Sequence, residues 1–205
     1  MSEELAYTPL ITQGIFTTIL NDIDNKKLVH EIQEYGYAVP SGDERYNWSG
    51  FIQYEDTVCP RSKEFEKLEK AVIAAVDRVG GRAHQIDELW AIVLDKGKSV
   101  MAHCHHKKHH IYPEEYFSVS YYPQVPDGSA ALVFSANWCG YMNSSVMIEP
   151  KEGMLTIFNS YLNHMTTRHN SSIPRIVISM NLSPVKPSIT PNADWSIYQD
   201  RPIVD

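Results

Sequence analysis

The stretch that decides the fold is residues 101–175, which begins MAHCH (101–105) and ends HMTTRHNSSIPR (164–175). Short apolar segments separated by turn residues lie between these ends, a pattern typical of β-strands. The stretch carries two histidines two positions apart at its start, and a histidine followed eleven positions later by an arginine at its end. This pattern predicts a small β-barrel with a metal ion near its mouth.

The strands predicted around these residues complete a closed or sandwich-like β fold with helices packed outside it. Turn signals such as Lys96-Gly97 and Asp127-Gly128 separate the strands. Eight strands are predicted, at residues 88–94, 100–105, 116–122, 130–135, 145–149, 154–158, 164–168 and 175–182.

The N-terminal part of the chain is predicted to support the barrel. β-Branched residues predict an opening strand or two within residues 6–20, and helical spacing of apolar residues predicts helices over 25–35 and 63–79. Residues 37–62 are predicted to be mostly loop. We predict one domain over 1–205, with helical support at 21–82, a barrel core at 88–182 and an extended, proline-rich C-terminal arm at 183–205.

Composition and charge narrow the function classes. The chain has 205 residues, 43% of them hydrophobic, and a formal net charge of −7, so a globular protein is expected. An acidic balance argues against binding nucleic acid or an anionic membrane, since both require clustered cations. Three cysteines without paired spacing and no signal peptide or membrane segment favour the cytoplasm, the host's if a phage encodes the chain.

The candidate metal ligands are His103, His105 and His164. In a strand, residues i and i+2 point to the same face, so His103 and His105 point together. His164 follows an apolar strand and could complete one face of a coordination shell, as in non-haem iron oxygenases. The remaining histidines outside the 106–110 run, His30, His84 and His169, are predicted at surface or cap positions.

Arg175 begins the last predicted strand and shares a face with Val177, Ser179 and Asn181. An arginine inside a small barrel is costly unless it is paired, and a ligand carboxylate would pair with it in a bidentate manner. A metal ion at the mouth and an arginine deeper inside suggest a dicarboxylic or 2-oxo acid ligand.

These residues and their order resemble the iron(II)- and 2-oxoglutarate-dependent oxygenase superfamily, and more narrowly an oxygenase family frequent in bacteriophage genomes. The resemblance covers about half the chain, together with the Trp48-Ser49 loop. The matching pieces are the Trp90 strand, His103-x-His105, FSVSYY (117–122), LVF (132–134), PKEGMLTIF (150–158), NSYLNH (159–164) and RIVISMNL (175–182).

The resemblance implies a double-stranded β-helix, the jelly-roll or cupin-like barrel. It implies that His103 and His164 bind iron(II) and that Arg175 holds the distal carboxylate of 2-oxoglutarate. The implied reaction couples oxidative decarboxylation of 2-oxoglutarate to hydroxylation of a substrate C–H bond, the substrate being a peptide or a metabolite.

Two positions depart from the family pattern. His105 stands where the family has Asp or Glu, so either His105 is the third ligand or Glu114 or Glu115 supplies the carboxylate from a neighbouring loop. Val177 stands where many such enzymes carry a hydroxyl that assists the arginine, and Ser179 or Tyr121 would substitute for it.

Two alternatives remain open from the sequence. The first is a three-histidine, cupin-like metal dioxygenase that uses no 2-oxoglutarate and needs no role for Arg175. The second is a non-catalytic binding protein that keeps the barrel, with side chains plugging its mouth.

Overall fold

The computed structural model describes residues 14–35, 50–53, 62–105, 115–138 and 142–185. Within these ranges the chain forms two helices and nine strands. In chain order they are β1 (Ile15–Ile19), α1 (Asn25–Tyr35), β2 (Gly50–Gln53), α2 (Lys63–Gly80), β3 (His84–Leu94), β4 (Phe117–Gln124), β5 (Leu132–Trp138), β6 (Met142–Ile148), β7 (Met154–Asn159), β8 (Asn163–Thr166) and β9 (Arg175–Pro184).

The strands form two antiparallel sheets. The larger has the order β1-β7-β4-β9-β3-β2, and the smaller has the order β6-β5-β8. From β4 to β9 the chain moves from the larger sheet to the smaller and back twice, so consecutive strands enclose one interior. This alternation agrees with the predicted double-stranded β-helix.

The two helices cover the outer face of the larger sheet. Helix α2 is capped by Ser62, whose hydroxyl accepts from the N–H groups of Glu64 and Phe65, and it ends at Gly81 with φ of 68°. Apolar residues at helical spacing form one buried stripe on α2. This stripe packs in the main core with alternate residues of β4, β7 and β9: Val119, Tyr121, Leu155, Ile157, Ile176, Ile178 and Met180.

The other face of the larger sheet points into the barrel. Along β9 this inward face carries Arg175, Val177, Ser179 and Asn181, all of them buried. It is paired with Ser118 and Ser120 of β4 and with the inward residues of β3. The larger sheet therefore has an apolar outer face that stabilises the domain and an inner face rich in polar groups.

Most predicted elements lie where expected, and three differ. Residues 100–105 form an isolated bridge, His103 to His164, instead of a full strand. Residues 50–53, predicted as loop, form β2, which pairs with β3 from Gly50↔Val93 to Gln53↔Trp90. Strand β9 continues to Pro184, past the predicted start of the C-terminal arm.

Other predictions fall partly outside the described residues. Residues 6–13 of the opening strand and 186–205 of the arm are among these. No helix in the described ranges is both long and apolar enough to cross a membrane.

Candidate metal centre

Three backbone contacts bring the predicted ligands together. Strand β8 pairs with β5 on one side, where His164 lies opposite Phe134. On its other side His164 exchanges two backbone hydrogen bonds with His103, at 3.0 and 2.9 Å. The N–H of His105 then donates to the carbonyl of Ser160 at 2.8 Å. The short segment 100–105 thus extends the smaller sheet and points both of its histidines at His164.

The three imidazoles converge with a geometry that fits one metal ion. One ring nitrogen from each lies within 4.8 Å of the other two. The Nε2 atoms of His105 and His164 are 3.3 Å apart. Two nitrogens that bind one ion at about 2.1 Å and an angle of 90–110° are separated by about 3.0–3.4 Å. The observed pair therefore already has the separation that shared coordination requires.

Backbone carbonyls set the tautomer of two ligands. Nδ1 of His103 lies 2.8 Å from the carbonyl of Met101, and Nδ1 of His164 lies 2.9 Å from that of Leu162. A carbonyl accepts only from an N–H, so each ring carries its proton on Nδ1 and leaves Nε2 as a lone-pair donor. Metal-binding histidines are commonly oriented in this way.

Burial keeps these rings neutral. Desolvation, aided by the nearby His103, lowers the pKa of His164 from 6.5 to about 4. Burial also lowers the pKa of His103, with the Met101 carbonyl acting in the opposite direction. Because a neutral imidazole is the metal-binding form, both side chains are ready to bind an ion near neutral pH.

Arg175 lies in the same barrel as a buried charge. It is 2% exposed, its Nη1 donates to the carbonyl of Ala130 at 2.8 Å, and its guanidinium carbon is 5.6 Å from the ring centroid of Tyr122. None of the ion pairs among the described residues involves Arg175. Its Nε is buried without a hydrogen-bond partner. Such an arrangement is expected where a ligand supplies the missing anion.

Hydroxyl groups line the inner face between Arg175 and the histidines. Ser120 on β4 lies directly opposite Ser179 on β9 and Thr156 on β7. All three are at most 8% exposed, and the Thr156 hydroxyl is buried without a partner. This row gives the interior polar groups that only a ligand or water would satisfy.

The structure does not bring Tyr121 to this interior. Its side chain lies in the main core with the helices, and its hydroxyl donates to Asn25 Oδ1 at 2.6 Å. The alternation of side chains along β4 places the next residue, Tyr122, inside the barrel and beside Arg175. Burial raises the pKa of Tyr122, although the nearby Arg175 lowers it.

The remaining residues discussed from the sequence have different positions in the structure. Ser179 is on the inward face, whereas Glu115 accepts from Arg82 Nη1 at 2.7 Å, and Glu114 is outside the described residues. His84 and His169, predicted at surface or cap positions, are buried at 4% and 0% exposure. His169 hydrogen-bonds to Ala130 N and the carbonyl of Ile173, so it braces the turn that precedes Arg175.

Two residues near the triad were not singled out from the sequence. Asn181 Nδ2 donates to Glu88 Oε2 at 2.6 Å and lies 3.4 Å from Nδ1 of His105. The sequence contains a signal for Glu88, because it precedes Trp90, Ile92 and Leu94 on one face of the predicted strand. A carboxylate on such an apolar face is costly unless a partner satisfies it.

The part of the chain that holds these residues resembles a known family. Residues 88–181 match the model of a family described as "Putative 2OG-Fe(II) oxygenase", and this match spans the three histidines and Arg175. This part of the chain is similar to the 2OG-Fe(II) oxygenases. This match confirms the resemblance found in the sequence. The cofactors in the family's description are iron(II) and 2-oxoglutarate. A search of curated proteins by sequence finds no match.

Solved structures of 2OG-Fe(II) oxygenases share this fold. SnoN, a non-heme alpha-ketoglutarate-dependent epimerase from nogalamycin biosynthesis, is 11% identical with a TM-score of 0.65, over 87% of this chain and 83% of that one. HygX from Streptomyces hygroscopicus, with nickel and 2-oxoglutarate bound, is 14% identical with a TM-score of 0.61, over 85% and 84%. The viral collagen prolyl hydroxylase of Paramecium bursaria Chlorella virus-1 is 12% identical with a TM-score of 0.58, over 83% and 96%.

These likenesses confirm the double-stranded β-helix. At such identities they show the fold alone, so what the site of this chain binds follows from its own residues. Those residues fit an iron(II) ion, because three imidazoles converge and two of them, His103 and His164, present a lone pair on Nε2.

Proposed function

We propose that this chain is an iron(II)- and 2-oxoglutarate-dependent dioxygenase that hydroxylates an organic substrate. The observation that carries the proposal is the pairing of two features inside one barrel. One is a three-histidine cluster with the spacing of a metal site, and the other is a buried guanidinium whose Nε has no partner. A 2-oxo dicarboxylic acid satisfies both, since one end chelates a metal and the other is a carboxylate.

In this proposal His103, His105 and His164 hold the iron through ring nitrogens. Arg175 holds the distal carboxylate of 2-oxoglutarate with the N–H groups not used by Ala130. Tyr122 lies beside that guanidinium, and the hydroxyls of Ser120, Ser179 and Thr156 line the inner face of the sheet. Iron(II) held by these residues would, with 2-oxoglutarate and dioxygen, supply an oxidant for a C–H bond: one oxygen atom of dioxygen would enter the substrate and the other succinate, with release of carbon dioxide.

The surrounding side chains keep water away from the cosubstrate. Ile92, Leu94, Val100, Tyr122 and Val177 form an apolar cluster around the buried Arg175, each at most 7% exposed. Exclusion of water strengthens the attraction between the guanidinium and a carboxylate, because the local dielectric constant falls. The same burial makes Arg175 expensive without its ligand, which favours a binding role over a structural one.

A second candidate, the three-histidine dioxygenase without 2-oxoglutarate, gives no role to Arg175. The burial of Arg175 beside Tyr122, with an Nε that has no hydrogen-bond partner among the described residues, supports the cosubstrate instead. The structural neighbours include an epimerase and a hydroxylase, so the hydroxylation step of the proposal is tested separately from cosubstrate binding.

The test is calorimetric titration of 2-oxoglutarate into protein loaded with manganese(II). We expect metal-dependent binding that is lost in His164→Ala and Arg175→Ala. If the metal binds and 2-oxoglutarate does not, the three-histidine dioxygenase replaces this proposal. If neither binds, the barrel is a scaffold. When binding is seen, release of succinate with candidate substrates tests hydroxylation.

A matched pair of adjacent variants tests which tyrosine serves the site. A lost hydrogen bond to a charged group costs about 1.5–3 kcal/mol, or roughly 10- to 150-fold in affinity. We expect Tyr122→Phe to weaken 2-oxoglutarate binding within that range. Tyr121→Phe, which loses only the bond to Asn25, should leave cosubstrate affinity unchanged. Equal affinities for both variants would remove Tyr122 from the proposed site.

A further inference from the structure

We infer that Glu88, acting through Asn181, is a positioning residue that orients His105 and supplies the negative charge that a three-histidine metal site lacks. The inference rests on the proposed function, because it concerns the same metal. The inference goes beyond the proposed function because it gives a role to Glu88 and Asn181, which lie outside the three histidines and the cosubstrate site.

The first step is the environment of the His105 ring. Its Nδ1 lies 3.4 Å from Asn181 Nδ2, and one face of the ring packs near Trp90 at 5.3 Å between ring centroids. The rings of His103 and His164 are oriented through main-chain carbonyls, at Met101 and Leu162. The contacts of the His105 ring with Asn181 and Trp90 are instead made by side chains, which substitution can change.

The second step is that Asn181 is itself held firmly. Its Nδ2 donates to Glu88 Oε2 at 2.6 Å, and its Oδ1 accepts from the hydroxyl of Ser118 at 2.7 Å. The Ser118 hydroxyl also lies 3.0 Å from that of Ser160, whose carbonyl accepts from the backbone N–H of His105. One connected network thus reaches both the main chain and the ring of His105.

The third step is the proton on His105. When Nε2 binds a metal ion, the ring proton must be on Nδ1, where it needs an oxygen to accept it. The Glu88 carboxylate, which lies one hydrogen bond away through the Asn181 amide, is the acceptor that this inference assigns to that proton. A metal-bound imidazole whose N–H faces a carboxylate-linked acceptor is a better donor to the metal.

Glu88 also supplies a negative charge close to the three histidines. Three neutral imidazoles leave the full charge of a divalent ion uncompensated, whereas a carboxylate ligand would remove one unit of it. Glu88 is half-buried on the inward face of β3, in register with Asn181, after a register shift between Ile86 and Glu88. Irregularities of this kind often re-aim a side chain beside a functional site. The shift brings a carboxylate one amide away from the metal ligands.

The experiment measures cobalt(II) affinity without cosubstrate, by competition with a chelator and by the visible absorption of the bound ion. Glu88→Gln keeps the shape and removes the charge, and Asn181→Ala removes the link. We expect each to weaken cobalt binding 10- to 100-fold, the usual effect of losing an outer partner of a ligand. We also expect the absorption bands to shift, because the geometry around the ion changes.

The control is Glu115→Gln, which removes the same charge from a surface ion pair with Arg82. It should bind cobalt as tightly as the wild type. If Glu88→Gln is folded and binds cobalt with unchanged affinity and spectrum, the inference is overturned while the metal site stands. If Glu88→Gln does not fold, Asn181→Ala decides in the same way. If the wild type binds no cobalt, the proposed function and this inference both fall.

Discussion

Replacing Arg175 with methionine should stabilise the cosubstrate-free protein and abolish its response to 2-oxoglutarate. Methionine fills a similar apolar length without a charge. In the structure Arg175 is buried at 2% exposure and its Nη1 donates to the carbonyl of Ala130. Desolvation dominates its electrostatics and lowers its pKa, whereas the nearby Tyr122 raises it. The free energy of unfolding therefore contains a cost that the substitution removes.

The magnitude follows from opposing effects. A buried charge costs several kcal/mol, and the hydrogen bond to Ala130 returns about 1.5–3 kcal/mol. Replacing buried ionic groups with apolar ones is often neutral or stabilising by about 1–4 kcal/mol. For a chain of this size each kcal/mol moves the melting temperature by about 2–4 °C. We expect Arg175→Met to melt several degrees above the wild type when both lack cosubstrate.

The assay is thermal or urea unfolding of manganese-loaded protein, with and without 2-oxoglutarate. At one hundred times its dissociation constant a ligand adds about 2.7 kcal/mol to the wild type and nothing to a variant that cannot bind it. The stability difference between Arg175→Met and the wild type should therefore shrink or change sign on addition of 2-oxoglutarate. Arg168→Met, at an exposed position, is the control and should change stability by about 0.5 kcal/mol or less. A loss of more than about 1 kcal/mol in cosubstrate-free Arg175→Met would refute the reasoning, because Arg175 would then be structural.

Two further predictions test the folded chain itself. The pKa of His164 falls from 6.5 to about 4 on folding, so between these values the unfolded chain binds more protons and stability rises with pH. Between pH 6.5 and 4 the free energy of unfolding of the metal-free wild type should fall by up to about 3 kcal/mol, as measured by urea unfolding. His164→Asn should not show this fall. Parallel pH profiles for the two proteins would contradict the prediction. Gly80→Ala, normally favourable by about 1 kcal/mol in a helix, should instead destabilise by about 1–3 kcal/mol, since the new Cβ would lie 2.5 Å from His84 Cε1. A higher melting temperature for that variant would show that the His84 ring can move.

The strands of the barrel were predictable because their hydrophobic patterns and turns agree. Residues 154–158 and 175–182 alternate or run apolar between clear turn signals, and they form β7 and β9. Strand β2 was missed because its four residues lie among aromatic and turn residues with no period of their own. It exists because β3 offers it an edge, which is a tertiary effect that local pattern does not contain.

The common direction of His103 and His105 was predictable for a related reason. The spacing of His103 and His105 puts both on one face of any extended segment, whichever partner strand it meets. The sequence does not say which face of β4 points inward, and a shift of one residue exchanges the two faces. The predicted Tyr121 therefore lies on the helix-covered face, and its neighbour Tyr122 lies inside the barrel. Glu88 and Asn181 were harder, since their contact depends on the register of β3 against β9 and on the irregularity before Glu88.

Alternation along β9 explains why stability and chemistry separate so cleanly in this fold. Ile176, Ile178 and Met180 are 0% exposed and pack towards the helices, so they can remain apolar whatever the barrel binds. Arg175, Ser179 and Asn181 face inward, where each buried polar group costs free energy until a partner satisfies it. The helix-covered face offsets that cost, and the inner face can then hold a charge, hydroxyls and an amide in one strand. Substitutions on the outward residues should therefore change unfolding without changing metal affinity, whereas Asn181→Ala on the inward face should weaken metal binding.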